Sequence, residues 1–247
     1  MIKFFRKIRQ KMLSENKFSK YLLYAIGEII LVVFGILIAL QINNWNQNRS
    51  ERQVEKRLLL ELYNNLEYNE QRLNLDIKEE FKSIHSVKQV LKILENRLPY
   101  QDSMDYHFDR SLYSPDIVLS STAFKSIQSR GFDVIASDSL RNAIITLFEN
   151  DYGFLLSQTV RLEDQFWPSS LLPLLHKHFR IKSMEGNPFN DELGSKPVDY
   201  EALLNDDQYH NMIKHRGSFR YQGAALKQDA LEKTTALKEQ INNYLNQ

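Results

Sequence analysis

The sequence predicts an all-α protein in which one N-terminal transmembrane helix continues into a long helix and an extracytoplasmic helical bundle. Three observations carry this prediction. Tyr21 to Ile42 is an apolar run with a single charge, no Gly or Pro occurs from Ile36 to Leu98, and no stretch alternates with a period of two. At about 1.5 Å per residue, this run spans roughly 33 Å as a helix, enough for a hydrocarbon core of about 30 Å.

Charge asymmetry predicts the orientation of the span. The first twenty residues carry seven Lys or Arg and one Glu and sum to +6, whereas the whole chain sums to only +1. Basic flanks stay on the cytoplasmic side, so we expect the N-terminus inside and the C-terminal domain outside. The apolar run ends without a cleavage site of the Ala-x-Ala kind, which favours a retained signal anchor over a cleaved signal peptide.

Both flanks of the span carry residues typical of membrane interfaces. Tyr21 and Tyr24 at one end and Trp45 at the other have amphipathic rings that prefer the headgroup level. The basic tail, residues 1–20, is expected to contact anionic lipid, either as an amphipathic helix lying on the membrane or as a disordered positive-inside signal. The candidate headgroup-binding residues are Lys3, Arg6, Lys7, Arg9 and Lys11.

Glu28 is the one charge inside the span. Gly35 and Ala39 follow seven and eleven residues later, within about 20° of the same helix face, and this small-xxx-small pair lets two helices approach closely. We interpret the three residues as a stripe that contacts a second copy or a partner membrane protein. A carboxylate hydrated near the headgroups is one alternative, and an ion or proton relay is another, although a relay normally needs further intramembrane polar groups.

The region outside the membrane is predicted to be helical throughout. Residues 43–98 form a long membrane-proximal helix in which Leu62, Leu73 and Ile84 recur at eleven residues, a period that favours a straight helix in a bundle. Pro99 ends this helix, and residues 99–247 complete the domain. The elements expected there are Val118–Arg130 capped by Gly131; Leu140 to about Phe166, capped by Ser137 or Asp138 and ended by Trp167-Pro168; a shorter helix from Ser169 or Ser170 through Phe179; a loop over residues 183–198; and the helices Tyr200–Arg216 and Phe219–Leu245.

No pattern in the sequence predicts catalysis. The chain has no cysteine, which excludes disulfides and thiol chemistry. His176 and His178 are two residues apart, and His210 and His215 are five apart, so neither pair has the spacing of a helical metal site. Asn205 to Asp207 are typical of a helix N-terminus. We therefore expect no metal, no cofactor and no enzymatic activity. Residues 21–247 carry a net negative charge, since residues 1–20 sum to +6 and the whole chain to +1, and this argues against nucleic acid as a partner.

The N-terminal block resembles a known family. Met1 to Gln10, Glu15 to Lys17, Ala25 to Val33 and Gly35 to Asn46 are similar to short single-pass membrane proteins of unknown function found in Bacteroidota. The similarity covers about residues 1–50, with a weaker one from Phe124 to Asp138. The resemblance implies a bacterial inner membrane and a periplasmic helical domain, and it brings no activity, cofactor or catalytic residue.

These observations together predict a membrane-anchored module for protein interaction, scaffolding or sensing, partnered by the lipid bilayer and by a second copy or another membrane protein. The alternative is an accessory subunit of a larger membrane complex that uses Glu28 as an intramembrane contact. A membrane-tethered enzyme is a third reading, because catalytic residues scattered through a fold leave no local motif.

Overall fold

The computed structural model describes residues 18–180 and 195–246, and in these residues the fold is all-α, as the sequence predicts. The chain divides into two compact units, Met1–Glu55 and Lys56–Gln247. The helices in chain order are α1 Phe18–Glu95, α2 Met104–Arg110, α3 Thr122–Arg130, α4 Asp138–Ile145, α5 Tyr152–Phe166, α6 Leu172–His178, α7 Tyr200–Leu204 and α8 Asp207–Leu245. A 3-10 turn lies at Phe132–Val134, π-helical turns lie at Thr146–Asp151 and Trp167–Leu171, and strands β1 Phe179–Arg180 and β2 Lys196–Pro197 pair antiparallel.

In the first unit, the described residues all belong to α1, and the polar stretch from Gln41 to Arg49 is helical. Residues 1–17 lie outside the described part of the chain. The same helix assignment continues into the second unit as far as Glu95, close to the end at Pro99 that the sequence predicts.

In the second unit, the apolar residues of α1 that recur every eleven residues lie in the core. Leu62, Leu66 and Leu73 have no exposed surface, and Ile77 and Ile84 are also buried. Burying each of these side chains contributes about 1.5–3 kcal/mol. Phe81 also follows Ile77 at a helical spacing of four residues, yet 56% of its surface is exposed. The recurrence therefore identifies the core face of α1 correctly, with Phe81 as the exception.

Side chains from α1, α2, α5, α6 and α8 meet in one apolar cluster. Val90, Phe108, Leu171, Tyr209 and Ile213 lie at its centre and are fully buried. Aromatic pairs join the helices at its edges, among them Phe166 and Phe219, whose ring centroids are 5.0 Å apart in an edge-to-face arrangement. Such pairs add about 0.5–1.5 kcal/mol beyond the area they bury.

Two helix caps follow the sequence prediction. Gly131 ends α3 with a φ of 93°, a backbone conformation that glycine adopts without strain. Ser137 precedes α4, and its side chain accepts a hydrogen bond from the backbone N–H of Leu140. The helix α3 begins at Thr122 rather than at the expected Val118, and a residue of another helix caps it. Asn65 of α1 accepts hydrogen bonds from the Thr122 hydroxyl at 2.8 Å and from the backbone N–H of Ala123 at 3.0 Å.

The α-helical winding of α5 ends at Phe166, as predicted, but the expected interruption of the helical path at Trp167-Pro168 is wrong, and so are the caps at Ser169 and Ser170. The chain passes Pro168 in the wider π-helical turn Trp167–Leu171 and continues directly into α6. A proline lacks the N–H that an α-helical turn needs, and the local change of winding lets the helical path continue past it.

The expected break between two C-terminal helices is also wrong, because α8 runs uninterrupted past Gly217. Glycine in a helix interior costs only about 1 kcal/mol. A Cβ atom added at Gly217 would lie 3.0 Å from Cγ1 of Val87, so the glycine allows α8 to approach α1 closely. The two-residue strand pair is a further departure from a purely helical prediction, and residues 183–194 of the expected loop lie outside the described residues.

Candidate functional site

The apolar part of α1 presents its side chains outward. Leu23 is 74% exposed and Leu31 is 70% exposed. The other large aliphatic residues from Leu22 to Ile42 are exposed as well. Among the described residues, α1 is the one helix long and apolar enough to cross a membrane. A continuous apolar surface of this kind marks a contact with lipid or with another protein.

The predicted contact stripe lies on this surface. Glu28 is partly exposed, while Gly35 and Ala39 are exposed, and a Cβ atom added at Gly35 would meet no atom within 4 Å. The helix keeps the three residues on one face, as their spacing requires. What touches that face stays a prediction.

The predicted interface residues are described only in part. Trp45 is 63% exposed, and the Arg49 guanidinium lies 5.8 Å from the centre of its ring. Tyr21 and Tyr24 belong to α1, but their side chains are outside the described part. The candidate headgroup-binding residues also lie outside it: Lys3, Arg6, Lys7, Arg9 and Lys11.

In the second unit, charged side chains are buried between α1 and α8. Glu80, Arg216 and Lys227 have no exposed surface, and Arg220 is 2% exposed. Glu80 accepts a hydrogen bond from Nζ of Lys227 at 2.6 Å and two from Nη1 of Arg220 at 3.2 and 3.3 Å. A buried charge is tolerated only when it is paired in this way.

Glu163 of α5 and the loop after α2 complete this buried charge network. Glu163 accepts two hydrogen bonds from Nη1 of Arg216, at 2.8 and 2.9 Å, and one from Arg220. Arg220 also donates to the Ser114 hydroxyl at 2.6 Å, and Arg216 donates to the carbonyl oxygen of Leu112 at 2.5 Å. Burial, and then the neighbouring Arg220, lowers the pKa of Arg216, whereas Glu163 opposes that shift. The network therefore fixes the position of α8 against α1 and α5.

A second polar cluster, made of Asn69, Ser120, Tyr152 and Thr234, joins α1, α5 and α8. Asn69 is fully buried, donates to the carbonyl oxygen of Ser120 at 3.0 Å and accepts from the Ser120 backbone N–H at 2.6 Å. The Tyr152 hydroxyl lies 3.4 Å from Nδ2 of Asn69 and 2.8 Å from the hydroxyl of Thr234. Tyr152 accepts from Asn69, and burial raises the pKa of Tyr152, so the hydroxyl keeps the proton that it donates to Thr234.

The four candidate histidines do not come together. Nε2 of His178 is 2.7 Å from Asp206, Nε2 of His210 is 3.6 Å from Glu95, and the ring of His215 is 6.2 Å from that of Phe219. Over residues 18–180 and 195–246, no three His, Asp or Glu residues are grouped so that they could hold a metal ion.

Asp206 caps α8, in agreement with the helix start predicted at Asn205 to Asp207. Its side chain accepts from the backbone N–H groups of Gln208 and Tyr209 at 2.8 and 3.1 Å. Nζ of Lys177 also lies 2.5 Å from the same carboxylate. Burial alone would raise the pKa of Asp206, but the hydrogen bonds from Lys177, His178 and the two backbone groups outweigh it and hold the pKa well below its usual range.

Replacing Asp206 by Asn is expected to keep the cap and remove the charge. The stability at neutral pH should fall by about 1 kcal/mol, the upper end for a paired charge near the surface. Because the folded-state pKa is lowered, the carboxylate stabilises the fold above about pH 4 and loses this contribution as the pH falls further. The midpoint temperature of thermal unfolding should therefore fall less between neutral pH and about pH 2 in the Asp206→Asn variant than in the native protein.

Asp207→Asn is the matched control for this prediction, since Asp207 is adjacent, exposed and not the capping residue. Its pH profile should follow that of the native protein. Coincident profiles for the native protein and Asp206→Asn would contradict the role given to this carboxylate.

The described residues define a class of protein: all-α, with one described helix long and apolar enough to span a membrane and a helical unit that contains buried charges. The model of the Family of unknown function (DUF6090) matches residues 28–166, more than half of the chain. The protein belongs to that family.

The family match confirms the expected family of unknown function, but the matched residues differ from the range of the resemblance, about residues 1–50. The matched range starts at Glu28, inside the block used for the resemblance, and includes Phe124 to Asp138. No curated protein and no solved structure matches the chain.

Proposed function

We propose that this protein is a single-pass membrane anchor carrying a periplasmic helical domain for protein interaction, scaffolding or sensing. The observation that carries the proposal is the exposed apolar surface from Leu22 to Ile42, which is long enough to cross a bilayer. The basic tail supports a cytoplasmic N-terminus in a bacterial inner membrane. The proposal assigns no catalytic role to any residue.

Association through Glu28, Gly35 and Ala39 is the proposed mechanism. Small residues allow close helix packing within lipid, and a polar side chain at such a contact adds a hydrogen bond. Because one helix contains both this stripe and the core face of the bundle, association within the membrane would be linked to the outer domain through α1.

The second candidate function is an accessory subunit. In that case, Glu28 contacts a Lys, Arg or Asn in a helix of a different protein. The position of Glu28 within an otherwise apolar surface favours this alternative as much as it favours self-association, since a charge at that depth needs a polar contact or water.

Crosslinking in native membranes is expected to give adducts at multiples of 29.2 kDa. Glu28→Gln should reduce them, because replacing a charge-assisted contact by a neutral one weakens it by about 1 kcal/mol, which lowers the association constant roughly fivefold. The measurement is the mass and composition of the crosslinked species after extraction in mild detergent.

Glu61→Gln is the control, since Glu61 is an exposed glutamate of the same helix outside the apolar segment. Its adducts should equal those of the native protein. A foreign protein in the Glu28-dependent adduct would select the accessory-subunit function instead, and equal adducts in all three proteins would remove Glu28 from the mechanism.

A further inference from the structure

A shallow groove lies between the exposed side of α1 and α2. Lys78, Phe81, Lys82 and His85 stand at positions i, i+3, i+4 and i+7, so they share one face of α1. The side chains lining the groove are Lys78, Phe81, Lys82, His85, Ser86 and Tyr106. None of these residues takes part in the buried charge network or in the membrane segment.

Positive charge exceeds negative charge at this groove. Nζ of Lys82 lies 2.8 Å from Oε1 of Glu79, and the same carboxylate also pairs with Arg110. Over residues 18–180 and 195–246, no carboxylate lies within ion-pair distance of Lys78. Lys78, Lys82 and Arg110 therefore outnumber Glu79 by two charges, which favours an anionic ligand.

Two aromatic rings border the same positive charge. Phe81 is 56% exposed and Tyr106 is 49% exposed, although burying large apolar side chains usually stabilises a fold. Exposed rings beside cations are suited to a ligand that has both a flat apolar part and a negative group. A bare inorganic anion would leave the rings in water, and a neutral aromatic molecule would leave the charge excess unpaired.

Ser86 lines the groove and contacts a histidine of α2. The Ser86 hydroxyl lies 3.1 Å from Nδ1 of His107, whose ring also packs against those of His85 and Tyr106. Burial, and then the neighbouring His85, lowers the pKa of His107, which keeps this imidazole uncharged at neutral pH. The positive charge that a ligand meets in the groove thus comes from Lys78 and Lys82.

We propose that the groove binds a small water-soluble organic anion that carries a flat apolar group. The carboxylate or phosphate of the ligand lies by Lys78 and Lys82, and its ring packs on Phe81 and Tyr106. This inference rests on the proposed function, because it names the ligand class of a sensing domain.

The test uses the full-length protein in detergent and follows 4-fluorobenzoate and 4-fluorophenyl phosphate by fluorine NMR, with 4-fluorobenzyl alcohol as the neutral analogue. Ligands of this size are expected to bind with dissociation constants of about 1 mM. Lys78→Gln with Lys82→Gln should weaken both anions roughly tenfold, and Phe81→Ala should weaken them roughly fivefold. Added salt should weaken binding, because the lysines are exposed.

Matched controls come from the same chain. Lys88→Gln removes an exposed lysine of α1 that lies over the Tyr221 ring outside the groove, and Phe154→Ala removes a phenylalanine that is 55% exposed elsewhere. Both controls should bind as the native protein does. Far-UV circular dichroism should show unchanged helix content in every variant.

Three results would overturn the proposal: equal affinity for the neutral alcohol, affinities unchanged in the groove variants, or displacement of the probes by an acidic peptide or a short-chain anionic lipid at concentrations where soluble aromatic anions fail. Each of these leaves the crosslinking result for Glu28 untouched. Failure of the groove can therefore be distinguished from failure of the membrane-anchored module.

Discussion

Glu80→Gln is expected to lower the free energy of unfolding by about 3 kcal/mol. The substitution removes the buried negative charge that Lys227 and Arg220 contact, while both cations stay buried. Breaking a buried pair by removing one partner typically costs 3–5 kcal/mol, and the lower end applies because Arg220 keeps Glu163 and Ser114. For a helical unit of this size, thermal unfolding in detergent should shift down by roughly 6–12 °C.

Glu79→Gln is the matched control for Glu80→Gln. Glu79 is the neighbouring residue and also pairs with two cations, but it is partly exposed and its partners reach solvent. The loss should be below about 1 kcal/mol. Equal losses at the two positions would show that burial does not set the energy of this network.

A second variant separates the unpaired charge from the lost contact. Glu80→Gln leaves Lys227 without its described partner. Adding Lys227→Met removes this cation and fills its space with an apolar side chain of similar length. The double variant should recover more than half of the lost stability, because replacing both partners of a buried pair is often close to neutral. A double variant less stable than either single one would contradict this account.

The sequence identifies the core face of α1 because apolar side chains repeat there at a helical period. It misses Asp76 and Glu80, which occupy the same face as Leu73 and Ile84 and are buried. The cations of the buried charge network on α8, Arg216, Arg220 and Lys227, recur at four and seven residues. Charges of opposite sign that share core positions on two helices are the signal that could have found the network, but pairing them requires knowing that α8 lies against α1.

Local rules also explain which helix ends were predicted correctly. Gly131, Ser137 and Asp206 act through their own backbone conformation or nearby N–H groups, so sequence alone is sufficient. Pro168 and Gly217 do not interrupt the helical path: a local π-helical turn carries the chain past Pro168, and Gly217 allows the close approach of α8 to α1, which sequence alone does not show. The exposure of Phe81 is of the same kind, since a helical period cannot distinguish a core position from a groove beside α2.

Leu31→Arg combined with Phe34→Arg is expected to abolish membrane insertion. Both residues lie near the middle of the apolar segment, and they are 70% and 60% exposed. An arginine at that depth costs about 2.5–3.5 kcal/mol, and the favourable contribution of the apolar residue is lost as well, so the pair should cost about 6–8 kcal/mol. The native protein should stay in alkaline-washed membranes, whereas the double variant should leave them.

Leu60→Arg with Leu75→Arg is the control, because these leucines are similarly exposed on α1 but lie in the second unit. This control should fractionate as the native protein does. Retention of the Leu31→Arg, Phe34→Arg variant in washed membranes would mean that protein contacts, rather than lipid, cover the apolar surface.

The chain contains no cysteine, so one introduced thiol reports its orientation without interference. Lys125→Cys places that thiol at an exposed position of α3. With the outer membrane permeabilised, a membrane-impermeant maleimide should label it in the native background, and in the Leu31→Arg, Phe34→Arg background it should react only after lysis. Labelling only after lysis in both backgrounds would place the helical domain in the cytoplasm and reverse the orientation proposed from the basic tail. Since the crosslinking and fractionation results would stand in either orientation, this measurement tests the periplasmic assignment separately from the membrane anchor.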